Sequence, residues 1–313
     1  MVNNTKTEIL TILRANTNPV SGECIAGKIG KSRVAVWKAV QSLIESGYGI
    51  ETYPTGYMLK SDITDSLETW EFGNNAHRFR HFNQTDSTMN RAREAALAGC
   101  ESGLIISAKD QLFGKGTNNK EWKSASGGLF FTMITRPDLN IAYTHRAVLA
   151  AQIASVKAIR SVNNIETTLA WPNDIICNYS KAGGVLCETF TSGTQLTFCN
   201  IGVGINTGES PLLSGTTNIH ANKKEVLAAF VYEFDKIDCN SNELIREWNA
   251  LCFQTGKIVK GHTSKGESLS GIFSGITQYG WAIIKNSEIN NNTEGTIELP
   301  PGTFSIHNKG WKK

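Results

Sequence analysis

The tightest constraint in this chain is Gly30-Lys31-Ser32, which stops one helix and starts another with a single residue between them. Glycine accepts the left-handed conformation in which helices end, and a serine two residues later supplies the side-chain oxygen that a new helix N-terminus needs. Upstream, Ser21 is placed to cap the helix that Gly30 ends, with Ile25, Ala26 and Ile29 facing inward. Residues 7–14 carry Ile9, Leu10, Ile12 and Leu13 on one side of a further short helix. The helix after Ser32 is expected to run to about Ser46. Val36, Val40 and Leu43, joined by Trp37 and Ile44, form its expected buried stripe, with Arg33, Lys38, Gln41 and Ser42 turned to solvent. Gly47-Tyr48-Gly49 stops it, and residues 50–53 and 57–59 read as two strands around a Pro54-Thr55-Gly56 turn.

Helix, helix, turn, helix and β-wing is the order of a winged helix-turn-helix, whose third helix enters the DNA major groove. Ser32, Arg33, Lys38 and Gln41 are therefore the candidate DNA contacts, with Arg33 positioned for a phosphate or a guanine edge. A small helical domain that contacts protein is the plainer alternative. The net charge of the chain is only +3, so any basic footprint has to be local.

At 313 residues, 40% hydrophobic and 19% charged, the chain has room for two or three globular domains. No apolar run approaches the ~20 residues of a membrane span, and the N-terminus lacks the apolar stretch of a secretory signal. The seven cysteines are scattered without a C-x-x-C pair, which argues against a disulfide framework and against structural zinc. These features predict a cytoplasmic protein with no metal site of its own.

Residues 1–62 form the expected winged helix-turn-helix, and a polar stretch at 63–77 reads as a linker. Beyond it, strands are expected at 80–83, 103–109, 129–134, 167–171, 181–191 and 195–205, with helices at 89–98 and 142–162. Helices interleaved with hairpin-connected strands predict an α/β (α+β) domain over 78–255, built on a mixed sheet covered on one face. Residues 269–273, 274–279, 280–285 and 303–306 read as short strands of a C-terminal piece, 256–313.

Four stretches stand out in series. Thr85-Asp86-Ser87-Thr88-Met89-Asn90 lies at a strand-to-helix turn, and a loop running from Gln111 through Gly114-Lys115-Gly116-Thr117 to Trp122 is followed by Ser126-Gly127-Gly128-Leu129. Trp171-Pro172-Asn173-Asp174 precedes Lys181-Ala182-Gly183-Gly184, and Gly202-Val203-Gly204-Ile205-Asn206 closes the set. Each alone is a weak signal. Together, in this order and spacing, they resemble the biotin–protein ligases, and residues 22–44 with Thr55-Gly56-Tyr57-Met58-Leu59 resemble the DNA-binding domain of biotin operon repressors. The resemblance covers essentially the whole chain, and it implies that the C-terminal piece is a small SH3-like β-barrel.

Such a protein joins the carboxylate of biotin to the α-phosphate of ATP, with magnesium, and passes the acyl group to a lysine of a carrier protein. The resemblance implies biotin contacts at Ser87, Thr88, Met89, Gln111, Lys115, Gly116 and Thr117. It implies adenylate contacts at Gly114, Lys120, Trp122, Asn173, Asn206 and His307, catalytic cations at Lys115 and Lys181, operator DNA as partner, and a homodimer. The chain also departs from the pattern. The arginine-rich loop of the family is here Lys115, Thr117, Asn118, Asn119 and Lys120, which loses the bidentate fork suited to phosphate. The lysine that precedes Trp171-Pro172-Asn173-Asp174 in the family is Ala170, and an arginine near the end is His307. Two readings follow: a ligase/repressor with weakened adenylation, or a catalytically inactive regulator that senses biotin or another small ligand. A lipoate-type ligase is disfavoured by Ser87, Thr88, Gln111 and the DNA-binding domain.

Overall fold

The computed structural model describes residues 4–117, 121–124, 127–193, 195–208, 215–289 and 292–306, which fall into two compact units, 1–81 and 82–313. The first unit holds helices α1 (Asn4–Arg14), α2 (Gly22–Ile29) and α3 (Arg33–Glu45), then strands β1 (Gly49–Tyr53) and β2 (Gly56–Ser61). Its punctuation is the one the sequence carries. Ser21 Oγ accepts from the Cys24 N–H, Gly30 closes α2 at φ 63°, and Ser32 Oγ accepts from the Ala35 N–H. β1 and β2 form an antiparallel wing, and Val20 bridges to Tyr57 beside it. Gly56 has to be glycine: at φ 145° a Cβ would lie 2.1 Å from the Val20 carbonyl oxygen.

Ile9, Leu10, Ile25, Val36, Val40 and Leu43 make the core of this unit. Trp37 does not join them. It is 51% exposed, and Ala39 fills the stripe instead. Helical periodicity put Trp37 at the edge of the apolar arc, and the wing leaves that edge open. The stretch expected as a linker, 63–77, packs on this unit. A 3-10 helix, Thr69–Arg78, brings Trp70 under the Lys6 ammonium, 3.7 Å from the ring centroid, and Glu71 to Arg14 at 2.8 Å.

β3 (Phe79–Thr85) runs across the boundary into the second unit, where α4 (Thr88–Leu97), β4 (Ile105–Gln111), β5 (Leu129–Thr135), α5 (His145–Asn163), β6 (Thr167–Ala170), β7 (Asp174–Cys177), β8 (Ser180–Ser192) and β9 (Gln195–Ile205) follow in order. They build a seven-stranded sheet in the order β3-β4-β5-β9-β8-β7-β6, antiparallel from β4 onward. Alternation along β5 decides which side each helix takes. Ile134 packs with Ala92 and Ala96 of α4, whereas Phe131 meets Phe230 of α6 (Lys223–Phe234) edge-on at 4.8 Å, and α5 packs with α6. The sheet is therefore covered on both faces, not one as the sequence suggested: α4 lies on one face, and α5, joined by α6 and α7 (Glu243–Leu251), lies on the other.

The C-terminal piece is a five-stranded antiparallel sheet, β13-β12-β11-β10-β14, comprising β10 (Ile258–Thr263), β11 (Ser268–Ile276), β12 (Ala282–Ile289), β13 (Asn292–Leu299) and β14 (Phe304–Ile306). Among the described residues its edge strands β13 and β14 do not pair, so the expected closure into a barrel is not seen. The two short strands expected at 269–273 and 274–279 are one strand with an irregular register between Phe273 and Gly275. Trp171 ties this sheet to the larger one: its indole N–H donates to the Gly280 carbonyl at 3.1 Å, and its backbone N–H to Gln254 Oε1 at 2.7 Å.

Candidate active site

The N-terminus of α4 leaves backbone N–H groups that need acceptors. Ser87, fully buried, gives its Oγ to the Met89 N–H at 3.3 Å. Gln111, at the end of β4, gives its Oε1 to the Thr88 N–H at 2.8 Å and to the Thr88 hydroxyl at 3.0 Å. The Gln111 amide then donates to Ser124 Oγ at 3.0 Å, and the Thr132 hydroxyl donates to Thr88 Oγ1 at 2.9 Å. Thr132, Thr88, Gln111 and Ser124 thus form one polar chain against the sheet. Thr132 and Ser124 escaped the sequence reading, although Thr132 is a polar interruption in the apolar run of β5, which was the available signal.

Beside this chain lies a small cavity bordered by Thr88, Met89, Gln111, Lys115, Thr117, Trp122, Asn173 and Lys181, with apolar walls from Phe130, Val185 and Leu186. Its floor is made of glycines on β8 and β9. A Cβ on Gly202 would sit 2.7 Å from Met89 Sδ, and one on Gly204 would sit 2.7 Å from the Trp122 ring. The free space is about 60 Å³, against the roughly 300 Å³ or more of a typical small-molecule pocket. The Trp122 ring lies against that floor. Its backbone N–H donates to the Gly114 carbonyl at 2.8 Å, which folds the loop over the floor, and its indole Nε1 is buried with no hydrogen-bond partner.

Both cations of the cavity are paired. Lys181 Nζ lies 2.6 Å from Asp174 Oδ1, and Lys115 Nζ lies 3.2 Å from Glu188 Oε1. Asn173 borders the cavity while its amide donates to the Val185 carbonyl at 2.7 Å. At the mouth of α4, a hydrogen bond from Asn90 lowers the Asp86 carboxyl to about 2, so it stays ionised. Among the described residues no group of three or more His, Cys, Asp or Glu is arranged to hold a metal ion.

Of the other residues singled out from the sequence, Ser87, Gly114, Gly116, Ala170 and Asn206 do not border the cavity. Ser87 caps α4, Gly114 anchors the Trp122 turn, and the Asn206 amide donates to the Thr217 carbonyl at 3.3 Å. Ala170 is completely buried and sits directly across from Asp174 in the β6–β7 pairing, so their side chains share one face. Lys120, His307, Asn118, Asn119 and Ser126 lie outside the described residues. In the first unit, Ser32, Arg33 and Lys38 are exposed and Gln41 is half-buried on α3.

The arrangement offers a polar chain at one end, an apolar slot, an indole N–H without a partner, and two ammonium groups, each balanced by a carboxylate. It suits a ligand with a hydrogen-bonding head and an apolar body.

Comparison with known proteins divides the chain at the same place. Residues 81–206 match the biotin/lipoate A/B protein ligase family, and residues 5–58 match a helix-turn-helix domain family. The bifunctional ligase/repressor BirA of Bacillus subtilis is 32% identical over 208 residues, 63% of this chain and 63% of that protein. The chain therefore matches less than two thirds of that relative's length. A biotin–[acetyl-CoA-carboxylase] ligase of Paracoccus denitrificans is 26% identical over 228 residues, 64% of this chain and 92% of that protein. In structure, the biotin protein ligase of Aquifex aeolicus in complex with biotin and ATP superposes with a TM-score of 0.61 at 23% identity, covering 74% of this chain and 98% of that one, a likeness of fold.

Proposed function

From a chain whose residues 81–206 match the biotin/lipoate A/B protein ligase family and whose residues 5–58 match a helix-turn-helix domain family, we propose a biotin-dependent DNA-binding protein of the ligase/repressor type. It binds biotin in the cavity against β5, β8 and β9, and DNA through α3. The observation that carries the reading is the Thr132–Thr88–Gln111–Ser124 chain at the edge of an apolar slot. Its hydroxyls and amide exchange their internal partners for the N–H and C=O groups of a ureido ring, and Met89, Val185 and Leu186 take the apolar body. ATP binds beside Lys181, Asn173 and Trp122, where magnesium accompanies the phosphates rather than a protein cage. Operator DNA and a biotin carrier protein are the partners, the protein acts in the cytoplasm, and it pairs as a homodimer. Among the described residues no helix is long and apolar enough to cross a membrane.

What this chain's residues do in adenylation is to orient and to balance charge. Gln111 and Thr88 fix the head of biotin, and Trp122 excludes water. Lys181 is the ammonium positioned to meet the anions, and Asp174 holds it at 2.6 Å. The loss of a cation at Ala170 and the pairing of Lys115 with Glu188 leave less positive charge where two anions must approach. Adenylation in this protein is accordingly slow. The same observation favours one second reading, a regulator that senses biotin without joining it to a carrier.

Titration calorimetry with biotin alone, followed by pyrophosphate release with biotin and ATP, tests both. Biotin is expected to bind without ATP and to change the Trp122 fluorescence as the ring leaves the floor. No heat and no thermal shift at millimolar biotin would remove the ligand assignment. Binding without pyrophosphate release selects the sensor.

A further inference from the structure

The outward face of α3 carries an apolar pair that DNA binding through charge alone does not use. Val34 is 62% exposed and Trp37 is 51% exposed, two of the large hydrophobic side chains left in solvent. They are three residues apart, hence neighbours on the helix surface, with Val34 opposite the buried stripe of Val36, Val40 and Leu43 and Trp37 at its edge. Both border a groove between α3 and the wing, together with Arg33, Tyr53, Pro54 and Thr55. Glu23 borders the same groove. Arg33 at the groove and Lys38 on the same helix are exposed, and among the described residues neither is paired with an acid. A helix with apolar side chains at its centre and unpaired cations at its borders is complementary to a major groove that presents thymine methyl groups between two phosphate backbones.

We propose that Val34 and Trp37 read thymine methyl groups in the duplex this protein binds, and so set its sequence preference, while Arg33 and Lys38 supply affinity through phosphates. The proposal rests on the DNA-binding reading above and adds the chemistry that is recognised. Trp37 and Val34 both border the groove beside the wing, so one methyl would lie against the indole and a second against Val34. Deoxyuridine differs from thymidine in this groove by the methyl alone. Removing one such methyl is expected to weaken binding by about fourfold, the fold-change equivalent of burying one methyl group.

The test uses the full chain with biotin and ATP and a random-sequence duplex pool. The most enriched duplex is resynthesised with deoxyuridine in place of thymidine, and both forms are titrated at several salt concentrations. The unmodified protein is expected to bind the deoxyuridine duplex at least about fourfold more weakly, with the same salt slope because the phosphate contacts are unchanged. Trp37→Ala and Val34→Ser are each expected to lose part of this discrimination, and the double variant to bind both duplexes alike. Arg33→Ala is expected to weaken both equally and to lower the salt slope. Equal affinity of the unmodified protein for the two duplexes overturns the proposal and leaves DNA binding standing. Discrimination that survives undiminished in the Trp37→Ala, Val34→Ser double variant also overturns it, and assigns the apolar face to another partner. If no duplex is enriched with or without biotin and ATP, the DNA-binding reading fails and this inference fails with it.

Discussion

Gln111→Ala separates a ligand contact from a helix cap, because this side chain serves α4 before any ligand arrives. In the structure its Oε1 is the acceptor for the Thr88 N–H at 2.8 Å and the Thr88 hydroxyl at 3.0 Å, and its amide reaches Ser124 at 3.0 Å. Thr88 is 3% exposed, so truncation strands a buried backbone donor at a cost of about 1–3 kcal/mol. For a unit of this size each kcal/mol lowers the Tm by about 2–4 °C, so a fall of roughly 4–8 °C is expected for a loss near 2 kcal/mol. If the amide also pairs the head of biotin, binding loses a further ~1–3 kcal/mol, about 5- to 150-fold in Kd. Gln111→Glu keeps an oxygen for Thr88 and removes the N–H donor. It should melt close to the unmodified protein yet bind biotin as poorly as Gln111→Ala. Differential scanning fluorimetry and titration calorimetry on the three proteins make the comparison. If Gln111→Ala melts lower but binds biotin with unchanged affinity, Gln111 is a cap only and the ligand assignment of the polar chain is wrong.

Three further outcomes are expected. Ala170→Lys places an ammonium across from Asp174, which relieves Lys181 of its partner. It should raise biotinyl-adenylate formation at least about tenfold, a gain of ~1.4 kcal/mol, and equal pyrophosphate release by the two proteins would contradict it. The half-buried His145 packs its ring against Gly280 with Nε2 enclosed, and desolvation lowers its pKa from 6.5 to about 4. Its neutral form therefore stabilises the fold above pH 6.5, and about 3 kcal/mol of this is lost as the pH falls from 6.5 towards 4. His145→Gln should flatten the Tm–pH curve in that window, and an unchanged slope would show that another group titrates there. Asn200 lies on β9 between Glu188 and Ile134 with both amide atoms buried and without partners. Asn200→Val should raise stability by about 1–2 kcal/mol, visible in chemical denaturation, whereas a lower midpoint would mean that a bound molecule satisfies the amide.

The sequence by itself determined the elements whose causes are local. Ser21, Gly30 and Ser32 act on backbone groups within a few residues, so the boundaries of α2 and α3 were legible before any contact was known. Most strands of the larger sheet were legible for the same reason, through their alternation and their glycines. The four-part series of motifs located the cavity, since Thr88, Gln111, Lys115, Trp122, Asn173 and Lys181 all border it. Tertiary structure decided which of those side chains border the cavity and which hold the scaffold. Ser87 and Asn206 spend their polar atoms on the fold, and Gln111 does so in part, because the groups that need them come from other elements. Thr132 reaches Thr88 across 44 positions of sequence, and Glu188 reaches Lys115 across 73, distances over which residue patterns carry no signal. Trp37 was misplaced because periodicity reports an apolar residue's angle on a helix, whereas only the packed domain decides whether anything covers that angle. The C-terminal sheet, whose edge strands do not pair among the described residues, follows the same rule, since closure depends on edge strands meeting in space, which no local residue pattern determines.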